Sequence, residues 1–231
     1  MSISSPNLAK RLASVQHRIQ NAAIGAGRRP DGVCLLAVSK KKPAAAVRSL
    51  AELGQRAFGE NYVDEALEKI EALAGSGLEW HFIGPIQSNK TRSIAEHFDW
   101  VQSVDRAKIV RRLSDQRPES LDPLNVLVQV NLDGEAQKAG CPPEALAELA
   151  NRVADSPGLR LRGVMAIPAP RAEPAEQLAV FERLRALYQV LQRNHREVDT
   201  LSAGMSGDLE AAIAAGSNLV RVGTDLFGPR D

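Results

Sequence analysis

The stretch TLSAGMSGDLEAAIAAGSNLVRVGT, residues 200–224, contains a strand, a helix and a second strand in direct succession. Its apolar runs Thr200–Ala203 and Leu219–Gly223 have the length of buried strands, and the segment Leu209–Ala215 between them has the pattern of a helix. A strand, a crossover helix and a parallel strand together form a βαβ unit. This stretch therefore predicts an α/β fold.

The same alternation of strand and helix recurs along the whole chain, after an amphipathic opening helix over Leu8–Ala26. An open, doubly wound sheet would alternate in the same way, but no Gly-x-Gly-x-x-Gly fingerprint follows the first strand. Eight strands instead favour a single (β/α)8 TIM-type barrel with an extra N-terminal helix, forming one domain over residues 1–231. The six remaining predicted strands are Val33–Ser39, Ala57–Glu60, Trp80–Ile83, Trp100–Ser103, Asn125–Asn131 and Arg160–Ile167.

Composition narrows the class of protein. The 29 Lys and Arg residues nearly balance the 28 Asp and Glu residues, so we expect neither nucleic acid nor a membrane surface as a partner. The two cysteines, Cys34 and Cys141, are too few for a disulfide framework and lack metal-ligand spacing, which predicts reduced thiols and no metal. Cys34 lies within the first strand and is expected in the core. With no signal-like N-terminal segment, the chain is expected in the cytoplasm.

The first predicted strand ends in three consecutive lysines, Lys40 to Lys42. Functional groups of a barrel lie at the carboxyl ends of its strands, and a lysine that is neutral there can attack an aldehyde. The unperturbed lysine pKa of about 10.4 means that the site has to favour the neutral amine or hold the product tightly. Three solvated lysines opening a loop are the alternative, and the two-residue period of a strand does not choose between Lys40 and Lys42.

The end of the chain carries a candidate anion site. Met205, Ser206 and Gly207 follow the seventh strand, while Gly223 and Thr224 follow the eighth, where barrels often bind phosphate. Ordinary helix capping would explain the same residues. Arg221 alternates with two valines in the eighth strand, so it is predicted to face the barrel interior, where it would donate a hydrogen bond to a pyridine nitrogen and keep that nitrogen unprotonated. A surface arginine bridging to an acid is the alternative.

Several motifs make the resemblance to a known family specific. The chain resembles the pyridoxal 5′-phosphate (PLP) homeostasis proteins, the YggS-like PLP-binding family, over nearly its whole length, and its barrel resembles the N-terminal barrel of alanine racemase. The motifs are Ala37-Val38-Ser39-Lys40, Phe58-Gly59-Glu60-Asn61-Tyr62, His81-Phe82-Ile83-Gly84-Pro85-Ile86-Gln87-Ser88-Asn89-Lys90, Arg162-Gly163-Val164-Met165-Ala166-Ile167, Gly204-Met205-Ser206 and Arg221-Val222-Gly223-Thr224.

The resemblance implies a role for each matching residue. Lys40 is implied to form the Schiff base with PLP, Arg221 to face the pyridine nitrogen, and Asn61 to lie near the cofactor. Ser206, Gly223 and Thr224 are implied to hold the phosphate, with Met205 beside them. His81, Lys138 and Met165 are further candidates for the mouth of the barrel, although Met165 is expected to pack rather than to take part in chemistry. Gln137 and Ala139 flank Lys138 where the family more often has serines, and Ala203 stands where a methionine is common.

Three functions compete for this site. The resemblance implies a PLP carrier that stores or buffers the cofactor or delivers it to PLP-dependent apoenzymes, without robust catalysis. A weak, one-base, racemase-like enzyme is the first alternative, although Arg221 beside the ring nitrogen would limit carbanion stabilisation. A Schiff-base aldolase acting on a sugar phosphate is the second. Without the second domain that completes a racemase site, a monomer is expected.

Overall fold

Eight parallel strands close into a barrel in the computed structural model of this chain, which describes residues 5–135 and 139–228. The strands pair in chain order, and β8 pairs with β1 to close the sheet. The predicted eight-stranded barrel is confirmed, and the predicted strand bounds agree closely with the observed ones. The strands are β1 (Cys34–Val38), β2 (Ala57–Glu60), β3 (Glu79–Phe82), β4 (Trp100–Val104), β5 (Leu124–Gln129), β6 (Leu159–Met165), β7 (Thr200–Ser202) and β8 (Leu219–Val222).

Helices surround the barrel, and the predicted N-terminal helix precedes the first strand. This helix, α1, buries one apolar face because Leu8, Leu12, Val15 and Ile19 recur at helical spacing. Short 3-10 helices at Ser88–Lys90 and Pro143–Ala145 precede α4 and α6. The α-helices are α1 (Ser5–Gly25), α2 (Ala44–Glu52), α3 (Val63–Ala72), α4 (Thr91–His97), α5 (Ala107–Gln116), α6 (Leu146–Ala154), α7 (Pro174–Asn194), α8 (Leu209–Ala214) and α9 (Thr224–Phe227).

The main apolar core lies between the sheet and the helices. In β5, Val126 and Val128 belong to this outer core, whereas Leu127 points the other way, into the barrel. Each fully buried side chain of this size stabilises the fold by about 1.5–3 kcal/mol relative to exposure. No helix in the part of the chain that the structure describes is long and apolar enough to cross a membrane.

The barrel interior contains two small apolar clusters and a set of buried polar side chains. One cluster consists of Leu36, Ile83 and Leu219, and the other of Trp100, Leu127 and Met165. The buried polar residues of the interior include His81, Gln102, Ser202 and Arg221. The interior of the barrel is therefore partly polar, and its polar side chains are buried and can hydrogen-bond to one another.

Candidate functional site

A cavity of about 360 Å³ opens at the carboxyl ends of the strands. A volume of this size suits a small ligand. The cavity brings together all seven residues that the sequence proposed for cofactor binding, from the ends of β1, β2, β7 and β8. Its lining is Val38, Lys40, Lys42, Asn61, Ile83, Ile167, Met205, Ser206, Gly207, Arg221, Gly223, Thr224, Phe227 and Gly228.

A tight turn presents the lysines after β1. The Lys42 amide donates to the carbonyl oxygen of Ser39 at 3.0 Å, and Lys41 takes the left-handed conformation with φ of +59°. This geometry directs Lys40 and Lys42 to the cavity and leaves Lys41 exposed. The turn therefore excludes Lys41 from the cavity and keeps both of the other lysines as candidates.

A buried ion-pair network supports that turn from below, and sequence reasoning missed it. Lys69 donates to the Ser39 carbonyl and to the Glu60 and Glu65 carboxylates, each at 2.7 Å. The Ser39 hydroxyl donates to the same Glu60 oxygen at 2.6 Å, and Glu65 accepts the Lys41 amide at 2.5 Å. Burial raises the pKa of Glu60, although the Lys69 ammonium opposes the shift. The backbone on both sides of Lys40 is thus held by this network, through Lys69 on the Ser39 side and Glu65 on the Lys41 side.

The role of Lys69 could not be recognised in the sequence, because its spacing from Glu65 is that of an ordinary helix pair. It stands four residues after Glu65 in α3, the separation of an ordinary exposed helix pair. Only the approach of β1 and β2 to this helix turns the pair into a buried network. The Glu60 in the Phe58-Gly59-Glu60-Asn61-Tyr62 motif was the available signal, since a carboxylate ending a buried strand needs a cation nearby.

Arg221 lies inside the barrel, as strand alternation predicted. Its side chain is 3% exposed, and it donates to the Ser202 hydroxyl at 2.7 Å and the Ala166 carbonyl at 2.9 Å. Burial lowers the pKa of Arg221 to about 10, against the smaller opposing effect of the Asp208 carboxylate. A guanidinium buried at a cavity wall is costly unless a ligand or polar groups satisfy its donors, so Arg221 marks this cavity as a site for a hydrogen-bond acceptor.

Asn61 offers an unsatisfied acceptor at the cavity. Its side-chain oxygen Oδ1 is buried and has no hydrogen-bond partner in the part of the chain that the structure describes. An orphaned buried acceptor costs about 1–3 kcal/mol, which a bound ligand with a donor would recover. The residues at this end of the cavity therefore fit a ligand that carries both donors and acceptors.

The loops after β7 and β8 form the other end of the cavity, where Ser206, Gly207, Gly223 and Thr224 line it. Backbone near glycines lets N–H groups approach an anion closely, and the two hydroxyls add donors. The Met205 amide is already satisfied, because it donates to the Asp208 carboxylate at 2.6 Å.

Arg18 of α1 clamps these two loops together, a contact that the sequence did not suggest. Its guanidinium donates to the Ser206 carbonyl at 2.9 Å, to Asp225 at 2.5 Å and to Glu210 at 2.7 Å. One side chain thus joins the helix before the barrel to the loop after β7 and to α9. The extra N-terminal helix therefore supports the candidate anion site.

Three candidates for the mouth of the barrel have other positions. His81 and Met165 are fully buried in the interior and do not line the cavity, which corrects their assignment to the mouth. His81 stacks on Trp100 at a centroid distance of 5.2 Å, so it fills the core below the cavity. Lys138 lies outside the described residues. Cys34, expected in the core, is exposed because it begins β1 at the opposite end of the barrel.

Comparison with known proteins agrees with the fold and identifies the family. Residues 11–231 match the family model for the alanine racemase N-terminal domain, which defines the class of barrel. The pyridoxal phosphate homeostasis protein of Pseudomonas aeruginosa is 61% identical over 224 residues, covering 97% of this chain and 96% of that protein. The Escherichia coli protein of the same name is 52% identical over 228 residues and covers 97% of both chains.

A solved structure extends the comparison to three dimensions. PipY of Synechococcus elongatus, solved with PLP bound, is 37% identical with a TM-score of 0.83, covering 96% of this chain and 100% of PipY. The present chain belongs to the pyridoxal phosphate homeostasis protein family.

Proposed function

We propose that this protein binds PLP in the mouth of the barrel and acts in PLP homeostasis by storing, buffering or delivering the cofactor. The main support is the convergence of three kinds of group in one cavity: the amine of Lys40, the hydroxyls of Ser206 and Thr224, and the buried guanidinium of Arg221. PLP carries an aldehyde, a phosphate and a pyridine nitrogen, which these groups match in turn. The names of the close relatives and the PLP-bound relative support the same ligand.

Each group has a distinct task in the proposed site. The Lys40 amine adds to the aldehyde carbon and water leaves, which holds the cofactor covalently and reversibly. Ser206, Gly207, Gly223 and Thr224 hold the phosphate with hydroxyl and backbone donors. Arg221 donates to the ring nitrogen, and Asn61 accepts from the ligand with its buried oxygen.

The arrangement favours storage over catalysis. PLP supplies an electron sink when its ring nitrogen is protonated, and an arginine donor at that nitrogen opposes protonation. Within the described residues, neither Tyr62 nor Tyr188 lines the cavity, so neither tyrosine stands ready as a second base. These features support a carrier rather than a two-base racemase.

We further propose that the protein works as a cytoplasmic monomer that gives PLP to apoenzymes. The lining residues of the cavity include an amine, two hydroxyls and a guanidinium, the groups that the proposed ligand needs. The two cysteines are free thiols, as expected for a reducing compartment. Light scattering of the PLP-loaded protein should give a mass near 24.9 kDa.

The test uses absorbance and borohydride. Wild-type protein with PLP should show an imine band that borohydride abolishes, and peptide mass spectrometry should place the reduced adduct on Lys40. The Lys40→Ala variant should lose the band, whereas the Lys42→Ala variant should keep it. A stable adduct on Lys42 with Lys40 unmodified would contradict the assignment. A protein that forms no band with PLP but cleaves a sugar phosphate would be the aldolase instead.

A further inference from the structure

A continuous line of hydrogen bonds crosses the barrel interior beneath the cavity. The Arg221 Nη1 atom contacts Ser202 Oγ at 2.7 Å, and Ser202 Oγ contacts Gln102 Oε1 at 2.7 Å. Gln102 Nε2 contacts His81 Nδ1 at 2.8 Å, and His81 Nε2 contacts Glu79 Oε1 at 2.7 Å. These five side chains are called the interior relay below.

The interior relay joins opposite sides of the barrel. Ser202 ends β7 and Gln102 lies in β4, strands that are not neighbours in the sheet, so their hydrogen bond spans the interior. Arg221, Ser202, Gln102 and His81 are all at most 3% exposed. The side chain of Glu79, at the start of β3, is 48% exposed and reaches solvent at the far end of the barrel.

The position of each proton in the relay follows from its two ends, because Arg221 can only donate hydrogen bonds and the Glu79 carboxylate can only accept them. Arginine only donates, so the Ser202 oxygen accepts from Arg221 and gives its own single proton to Gln102 Oε1. This orients the Gln102 amide with its nitrogen toward His81, whose Nδ1 accepts. Because Nδ1 accepts, the ring proton of His81 is on Nε2 and is donated to Glu79. All four bonds point in the same direction, away from the cavity.

The far end of the relay is held firmly. The hydrogen bond from His81 lowers the pKa of Glu79, so this carboxylate stays ionised as the terminal acceptor. The His81 ring is stacked on Trp100 at an interplanar angle of 7°, and the Arg162 guanidinium lies 4.6 Å from the centroid of the same indole. Neither His81 nor Gln102 can turn without breaking a buried contact.

We propose that the interior relay positions Arg221, so that its remaining N–H groups face the ring nitrogen of bound PLP. Gln102 is the central positioning residue, because it alone connects the half of the relay at β7 and β8 to the half at β3. This inference rests on the proposed PLP site, and it adds three interior residues to those that touch the ligand. The relay affects the hydrogen bond to a single ligand atom, the ring nitrogen. Its loss can therefore be distinguished from a general loss of protein stability, which would weaken the binding of any ligand.

The experiment compares PLP with its analogue in which carbon replaces the ring nitrogen. Dissociation constants for both ligands are measured on the full chain by absorbance titration. The Gln102→Leu variant should weaken PLP binding by about tenfold or more, the loss expected when a buried charged donor loses its support. Binding of the analogue, which gives Arg221 no acceptor, should change by less than about twofold.

A matched control is available in the same barrel. Gln55 is also a buried glutamine, but its side chain donates to the backbone oxygens of Leu35 and Ala57, away from the relay. The Gln55→Leu variant should affect both ligands equally. If Gln102→Leu does not fold by circular dichroism, His81→Phe breaks the relay while keeping an aromatic ring on Trp100, and the same selective loss is expected.

The outcomes separate the two proposals. Selective loss for PLP supports the interior relay. Equal losses for PLP and the analogue, or wild-type protein that binds both equally well, would overturn the relay while leaving the PLP site intact. Wild-type protein that binds neither ligand would overturn the proposed function and the relay with it.

Discussion

Replacing Lys69 with methionine is expected to lower the free energy of unfolding by about 3–5 kcal/mol near pH 8, the usual cost of removing one partner from a buried ion pair. Lys69 is 4% exposed and Glu60 is fully buried, with one of its oxygens, Oε2, lacking a partner among the described residues. Methionine keeps the length and packing of the lysine stem but removes the charge. The variant therefore leaves the Glu60 carboxylate buried without its cation.

The loss should depend on pH in a direction that the structure fixes. Burial raises the pKa of Glu60, so the folded state takes up a proton more readily than the unfolded state, and stability increases as the pH falls through the folded pKa. Without Lys69 this pKa rises further. Urea unfolding, followed by the fluorescence of buried Trp80 and Trp100, should thus show a smaller deficit near pH 5.5 than near pH 8.

The double variant Glu60→Gln with Lys69→Met is the control, because it removes both charges and should recover most of the stability. A loss below about 1 kcal/mol for Lys69→Met, or no recovery in the double variant, would refute a buried, strongly coupled pair.

Three further results are expected. Arg18→Ala should weaken PLP binding by about tenfold through loss of the clamp on the phosphate-end loops, while Lys10→Ala, at an exposed position of the same helix, should not, as titration would show. Gly163→Ala should unfold the protein or abolish expression, since Gly163 has φ of +147° and an added Cβ would overlap the Thr200 carbonyl oxygen; a normal melting curve would contradict this. A thiol reagent near pH 8 should modify the exposed Cys34 faster than the native, buried Cys141, because burial raises the pKa of both thiols and brings that of Cys141 to about 11; equal rates would argue against this packing.

The barrel could be predicted from sequence because its signal is local. Each strand is a short apolar run, and alternation along β8 was enough to orient Arg221 inward. The same alternation places His81 inward between Trp80 and Phe82, but it carries no information on depth along the barrel axis. That depth depends on the tilt and stagger of neighbouring strands, and His81 pairs in register with Trp100 at the start of β4. This is why its assignment to the mouth was wrong.

The supporting contacts could not be predicted because they join distant segments. Arg18 and Asp225 lie 207 residues apart, and Ser202 and Gln102 lie 100 apart. Nothing local in the sequence distinguishes these side chains from surface arginines and core polar residues. The ligand-facing residues were accessible to sequence reasoning through family motifs, whereas the residues behind them required the assembled barrel.

The pairing of β1 with β8 has a consequence for the newly made protein. Lys40 is synthesised about 180 residues before Arg221, Gly223 and Thr224, which complete its pocket. At ordinary translation speeds the interval is roughly 10–40 s. Throughout that time the lysine is an ordinary amine on an unfinished chain, with no phosphate loops to select its partner. Selective capture of the aldehyde therefore begins only after translation has delivered the last strand.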